Sequence, residues 1–255
     1  MTAATPGLQA EAPARNRRRV LISGGTSGIG YACAERLAAR GEAVWVLGSS
    51  DDTVAAARAR LPLAGAAACD VADERQVEAA VSAAAVQLGG FDGVFVNAGM
   101  DGQGVPATEL NATGLRRVLD VNVVGAFLVA RAALRSLRRP GAVVFNASVN
   151  AIRPERGFLD YNVSKAAVVS IAKSLALELG AEGVAVTALC PGYFPTRMTA
   201  PYLDDESARA ELLARIPAGR FGTLPEIAAV VDFLLSPDAA FMTGSVVNLD
   251  GGSSI

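Results

Sequence analysis

Tyr161 and Lys165 lie four residues apart in Tyr-Asn-Val-Ser-Lys, at the opening of a strongly helical run over 164–179. On a helix this spacing sets both side chains on one face, one turn apart. An ammonium beside a phenol favours the phenolate, and so lowers the tyrosine pKa from its usual value of about 10. A tyrosine tuned this way gives or takes a proton near neutral pH, which is general acid–base chemistry. The lysine is a rare choice here, because Lys165 and Lys173 are the only lysines among 23 basic residues. An amphipathic helix with a snorkelling lysine would carry the same pair, so the surrounding elements must decide.

Those elements alternate. An apolar strand over 19–22 runs into Ser23-Gly24-Gly25-Thr26-Ser27-Gly28-Ile29-Gly30, and a helical pattern follows over 31–39. Strand, glycine loop and helix is the layout in which backbone N–H groups at a helix start receive a phosphate. Further strands are expected over 43–47, 66–69, 93–96, 142–145, 184–189 and 246–249. Helices are expected over 51–61, 73–88, 113–138, 204–214 and 225–235. This alternation, with near-continuous apolar strands, predicts an α/β fold: a doubly wound parallel sheet with helices on both faces. In such sheets ligands bind beyond the carboxyl ends of the strands. The glycine loop, Asp70, Asn97-Ala98-Gly99, Ser148 and Pro191-Gly192 all fall at those ends, which makes them one site.

Composition narrows the chemistry. Hydrophobic residues make up 51% of 255, enough for a large core, and no linker or repeat divides the chain. A single domain over 16–255 is expected, behind a disordered Ala- and Pro-rich tail over 1–15. The net charge of −2 argues against a nucleic-acid binder. The one basic cluster, over 15–19, reads as a solvated lead-in to the first strand. No apolar run is long enough to span a membrane, and Cys33, Cys69 and Cys190 read as core residues of a reduced, cytoplasmic protein. The absence of histidine removes every scheme that needs an imidazole and most zinc sites, and no metal is expected.

These motifs resemble the classical short-chain dehydrogenase/reductase family over about 19–252. The matching residues are Ser23-Gly24-x-x-x-Gly28-Ile29-Gly30, Asp70, Asn97-Ala98-Gly99, Asn122, Ser148, Tyr161-x-x-x-Lys165 and Pro191-Gly192. The segment Ile216-Pro217-Ala218-Gly219-Arg220-Phe221-Gly222, then Thr243-Gly244 and Asp250-Gly251-Gly252, is similar to the 3-oxoacyl-carrier-protein-reductase-like branch. The resemblance implies a Rossmann fold and an NAD(P)H-dependent oxidoreductase interconverting a carbonyl and a secondary alcohol. Tyr161 would be the acid/base, Lys165 would lower its pKa and hold the nicotinamide ribose, and Ser148 would polarise the carbonyl. Asn122 would hold a water linking Lys165 to solvent. The implied cofactor-binding set is Gly24, Thr26, Ser27, Gly28, Ile29, Gly30, Ser49, Ser50, Asp70, Val71, Asn97, Ala98, Gly99, Tyr161, Lys165, Pro191, Gly192 and Thr196. Asp70 would contact the adenine or cap the following helix, and Asn97 would fix backbone at the sheet edge.

An NAD enzyme usually ends its second strand in an acid that binds the ribose 2′-OH. That position is Gly48 here, followed by Ser49-Ser50, so NADP(H) is favoured and NAD(H) remains open. Segments 149–160 and 193–215 should line the substrate pocket, where Arg153 or Arg197 could meet an anionic group. Arg135 could serve an acyl-carrier partner, although Glu182 stands where a second arginine would be expected. A ketoreductase or alcohol dehydrogenase of specialised bacterial metabolism is the leading reading, assembled as a homo-oligomer, a tetramer or a dimer. Oxidation of a cyclic alcohol or diol, or a cofactor-binding regulator without net turnover, are the alternatives.

Overall fold

Seven strands make one parallel sheet in a computed structural model that describes residues 17–255: β1 (Arg19–Ser23), β2 (Ala43–Gly48), β3 (Gly65–Ala68), β4 (Phe91–Val96), β5 (Leu137–Asn146), β6 (Val184–Pro191) and β7 (Val246–Leu249). Their spatial order is β3-β2-β1-β4-β5-β6-β7, with every pairing parallel. The direction of winding reverses between β1 and β4, which opens a crevice at their carboxyl ends. The expected tail over 1–15 lies outside the described residues.

The helices are α1 (Gly28–Ala39), α2 (Asp51–Arg60), α3 (Glu74–Leu88), α4 (Ala112–Leu119), α5 (Gly125–Leu134), α6 (Leu159–Leu179), α7 (Ala200–Leu203), α8 (Glu206–Ala214) and α9 (Leu224–Leu234). Strand side chains alternate between two cores. Leu21, Trp45, Val94, Val143 and Val186 point into one, where α3, α5 and α6 contribute Val77, Val129 and Val168. Val20, Ile22, Val46, Phe95 and Val144 point into the other, against Leu37 of α1 and Ile227 and Val231 of α9. Both faces are therefore buried, which is why β2 reads as an unbroken apolar run and β6 as one interrupted by the buried Thr187. Among the described residues no helix is long and apolar enough to cross a membrane. Cys33, Cys69 and Cys190 are free and buried, as expected.

Three local expectations need correcting. The helix expected over 113–138 is not continuous: a π-helical turn, Asp120–Val124, separates α4 from α5, and α5 ends at Leu134. Arg138 already lies in β5, because the pairing of Phe91 with Leu137 draws that segment onto the sheet. The helix after the glycine loop begins at Gly28 rather than at residue 31, so Gly28 and Gly30 lie in its first turn. The basic lead-in is not simply solvated.

Arg18 spans Glu42 at 2.9 Å and Asp232 at 2.6 Å, and Arg19 pairs with Asp92 at 2.9 Å. Asp232 also accepts from Arg36, so the lead-in to β1, helix α1 and helix α9 meet at one carboxylate. Burial pushes the Asp232 pKa up, but hydrogen bonds from Arg18 and Arg36 outweigh it and hold it below the usual carboxylate range. Asp232→Ala would leave Arg36 without this acid and Arg18 with Glu42 alone. We expect a loss of about 2–3 kcal/mol in urea unfolding at neutral pH. Because the folded pKa is depressed, this contribution is full above about pH 4 and fades as pH falls through the folded value. An Asp232→Ala protein as stable as the parent at neutral pH would contradict the assignment.

Candidate active site

The crevice at the β1/β4 reversal is built by close backbone approach. Gly24 has φ +64°, and a Cβ there would lie 2.9 Å from Ala98 Cα on the opposite strand end. A Cβ on Gly30 would run into the Gly24 carbonyl and the Asn97 amide. Asn97 locks this junction: its Nδ2 donates to the Ser23 and Gly24 carbonyls at 3.0 Å each, and its Oδ1 accepts from Asn146 Nδ2 at 2.9 Å. Asn97 thus ties together the ends of β1, β4 and β5, the backbone role expected of it.

A cleft of about 900 Å³ runs along these strand ends. Of the residues nominated above, Gly24, Thr26, Ser27, Gly28, Ile29, Ser49, Asp70, Val71, Asn97, Ala98, Gly99, Ser148, Tyr161, Lys165, Pro191, Gly192 and Thr196 line it. Gly30 lies beneath the loop it shapes, and Ser50 instead caps α2, accepting from Thr53 N. Asp70 does not cap α3. Asp73 takes that place, accepting from Arg75 N and Gln76 N, which leaves Asp70 exposed at the rim.

The cleft suits a dinucleotide. Ser27 at the start of α1 makes no side-chain cap, and the first turn holds no acid, so the leading N–H groups are left to an anionic ligand. Asn146 Oδ1 is buried without a donor beside the same cleft, and a hydroxyl of a bound sugar would satisfy it. These features fit the pyrophosphate and ribose of a nicotinamide dinucleotide.

At the other end of the cleft, α6 presents Tyr161 and Lys165 one turn apart, as their spacing requires. Lys165 is 4% exposed, its Nζ donates to the Asn146 carbonyl at 2.9 Å and sits 5.5 Å from the centre of the Tyr161 ring. Ser148, in extended backbone just past β5, accepts from Asn150 N at 3.1 Å and lines the same cleft as Tyr161. It therefore caps the loop and faces the site at once.

The expected lowering of the Tyr161 pKa is not what this environment produces. Desolvation drives it up. Ser148 opposes the rise, while the Asp101 and Glu155 carboxylates add to it. Lys165 is brought down to about 8, again by burial. Two groups sharing a poorly hydrated pocket both favour their neutral forms, and this outweighs the stabilisation of a phenolate by a nearby ammonium.

Asn122 occupies the π-helical turn and is 1% exposed. Its side chain accepts from Met100 N at 2.8 Å and donates to the Met100 carbonyl at 2.9 Å and to Ser164 Oγ at 3.0 Å. Both amide hydrogens of Asn122 are thereby committed, one to Met100 and one to Ser164. The π turn marks the site in the backbone, as such insertions often do.

Several site residues were not singled out from sequence. Asp160, beside Tyr161, reads as an ordinary helix-start charge but is fully buried. It accepts from Tyr161 N at 2.8 Å and from Gln103 N at 3.0 Å, pinning the loop after β4 onto α6. Asp101 of that loop accepts from the Tyr202 hydroxyl at 2.8 Å, which holds α7 over the cleft. Of the two arginines expected to meet an anionic group, Arg153 donates instead to the Ser253 carbonyl, whereas Arg197 lines the cleft that holds Ser148, Tyr161 and Lys165. Arg135, expected to serve an acyl-carrier partner, pairs with Glu78 of α3. The adjoining pocket on the other side of Tyr161 is lined by Arg215, paired with Glu155 at 3.1 Å.

Residues 24–254 match the family described as Enoyl-(Acyl carrier protein) reductase. Levodione reductase of Leifsonia aquatica is 38% identical over 93% of this chain and 94% of its own length. The 3-oxoacyl-acyl-carrier-protein reductase MabA of Mycobacterium tuberculosis is 37% identical, over 92% of each chain. Among solved structures, a variant actinorhodin polyketide ketoreductase crystallised with NADPH superposes with a TM-score of 0.87 at 31% identity, covering 93% of this chain and 97% of that one. With the sheet order, the glycine crevice and the Ser148–Tyr161–Lys165 cluster in place, the chain belongs to the classical short-chain dehydrogenase/reductase family.

Proposed function

We propose that the protein is a carbonyl reductase or alcohol dehydrogenase acting on small cyclic compounds, with NADP(H) the favoured cofactor. The observation that carries this reading is the opening of one cleft onto the uncapped start of α1 at one end and onto Tyr161, Ser148 and Lys165 at the other. When bound, the nicotinamide supplies or accepts the hydride. The remaining chemistry belongs to the chain. Ser148 hydrogen-bonds the substrate oxygen and stabilises charge developing there. The Tyr161 hydroxyl gives a proton to that oxygen in reduction or takes one in oxidation. Lys165 holds the cofactor ribose and sets the field around the phenol.

A raised Tyr161 pKa keeps the phenol protonated at neutral pH, the form reduction requires. We expect kcat/KM for ketone reduction to be level through neutrality and to fall in alkali. For alcohol oxidation it should climb with pH, because the phenolate is the required base. Measuring both directions from about pH 6 to 10 tests this, and parallel profiles would rule it out.

Preference for NADP(H) rests on the missing acid after β2: Gly48 ends the strand, and Ser49 and Thr26 offer hydroxyls along the cleft. Asp51 and Asp52, in the first turn of α2, are what an NAD(H) enzyme would use instead. Fluorescence titration with NADPH and NADH decides between them. Equal affinity, or tighter NADH binding, overturns the preference, and levodione is a natural first ketone for turnover.

Exposed Phe127 on α5 and Leu177 on α6 support assembly into a homo-oligomer, and three buried free thiols are in keeping with a reducing, cytoplasmic setting. A monomer in sedimentation velocity would remove the first inference, and recovery of the protein outside the cytoplasm on cell fractionation the second.

A further inference from the structure

Beyond Tyr161 and Ser148 the cleft continues into a chamber of about 210 Å³, walled by Phe158, Met198, Leu203 and Leu212. An apolar cavity of about 150 Å³ is enough for benzene, so this one suits a single substituted ring. Its polar groups are unevenly charged. Asp101, Glu155 and Glu211 line it with one guanidinium, Arg215, so three acids and one base leave two negative charges in excess.

Glu155 is the best placed of these acids. Its backbone N–H donates to Asn162 Oδ1 at 3.2 Å, and its carbonyl accepts from Asn162 Nδ2 at 2.7 Å, which fixes it to the helical turn carrying Tyr161. Asn150 Nδ2 donates to the same Asn162 oxygen at 2.9 Å, so the loop carrying Ser148 shares the brace. Glu155 Oε1 accepts from the Tyr193 hydroxyl and from Arg215, both at 3.1 Å. Among the described residues nothing donates to Oε2. A carboxylate held rigidly beside the acid/base, with one oxygen free, recognises a hydrogen-bond donor and repels an anion.

We infer that this chamber selects a neutral or cationic single-ring carbonyl compound bearing a hydroxyl or amine donor for Glu155, and excludes compounds carrying a carboxylate. The inference rests on the reaction proposed above and names the substrate class that the same site admits. The influence of both Asp101 and Glu155 on the Tyr161 phenol agrees with their position around the reacting group.

Three ketones of nearly equal size test it: 4-(hydroxymethyl)cyclohexanone, 4-methylcyclohexanone and 4-oxocyclohexanecarboxylate. Binding is measured by calorimetry on the full protein, saturated with whichever oxidised dinucleotide it binds more tightly, so that no ketone is reduced during the titration. We expect the hydroxymethyl compound to bind about tenfold more tightly than the methyl one, and the carboxylate at least about tenfold more weakly. Glu155→Gln should shrink the ratio of hydroxymethyl to carboxylate affinity at least about threefold, and Asp101→Asn should move it the same way. Ratios within one protein cancel a general loss of binding, and thermal melts show whether either variant is folded.

A carboxylate that binds as well as the hydroxymethyl ketone, or a ratio unmoved in both folded variants, overturns the inference. Reduction of the three ketones is then followed with the reduced dinucleotide. The expected binding order without any turnover would sink the proposed reaction and leave the selectivity standing. Turnover of all three at equal kcat/KM would do the reverse.

Discussion

Tyr161→Phe should lower kcat for ketone reduction by about 10²–10⁴-fold while leaving dinucleotide affinity within about twofold of the parent. The phenyl ring keeps the packing of α6 against the cleft and the face it turns toward Lys165, 5.5 Å away. What disappears is the one hydroxyl in the cluster that can deliver a proton to an oxyanion. Ser148 remains to hydrogen-bond that oxygen, but an aliphatic hydroxyl is too weak an acid to replace a phenol. The loss should therefore sit in kcat, with little change in KM, when stopped-flow absorbance follows the nicotinamide band. Unchanged hydride exchange in the folded variant would remove Tyr161 from the mechanism and leave the cluster without an acid/base.

Gly30→Val should abolish dinucleotide binding, raising Kd by about 100-fold or more, and should lower stability by about 1–3 kcal/mol. The added Cβ meets the Gly24 carbonyl and the Asn97 amide, and both neighbours are fixed. Gly24 is backbone, and the Asn97 amide is held by two carbonyls and by Asn146. Relief can only come by moving the start of α1 away from β4, which spoils the N–H groups aimed at the phosphate. A branched side chain at the third residue of the helix also forces this shift on the loop before it. Equilibrium titration by protein fluorescence, paired with a urea melt, separates the two effects. Affinity within tenfold of the parent would show that the crevice is not where the pyrophosphate lies.

Much of this site is legible along the chain because its determinants are local. Tyr161 and Lys165 share a face through helical periodicity alone, and Gly24, Gly28 and Gly30 follow directly on an apolar strand. Parallel strands buried on both sides have to be apolar throughout, so the sheet and its helices announce themselves, and with them the end at which a ligand binds. The boundaries that misled are those set by partners far away in sequence. Helix propensity continues through 134–138, but pairing of Leu137 with Phe91 wins the segment for β5. Basic residues at 18 and 19 look solvated until the fold brings Asp232, Glu42 and Asp92 to them.

Periodicity and motif spacing thus determined the architecture, the family and the gathering of Ser148, Tyr161 and Lys165 at one strand end. Tertiary structure alone decided the electrostatics. The direction of the Tyr161 shift depends on how much water the packed pocket excludes, which no neighbour on the same helix reveals. Asp160 and Tyr161 are adjacent in sequence, yet only the return of the 100–103 loop turns one from a surface charge into a buried clamp. Desolvation and charge pairing are sums over everything within a few ångströms, drawn for Tyr161 from segments around Asp101, Ser148, Glu155 and Cys190, and so they exist only once the chain has folded.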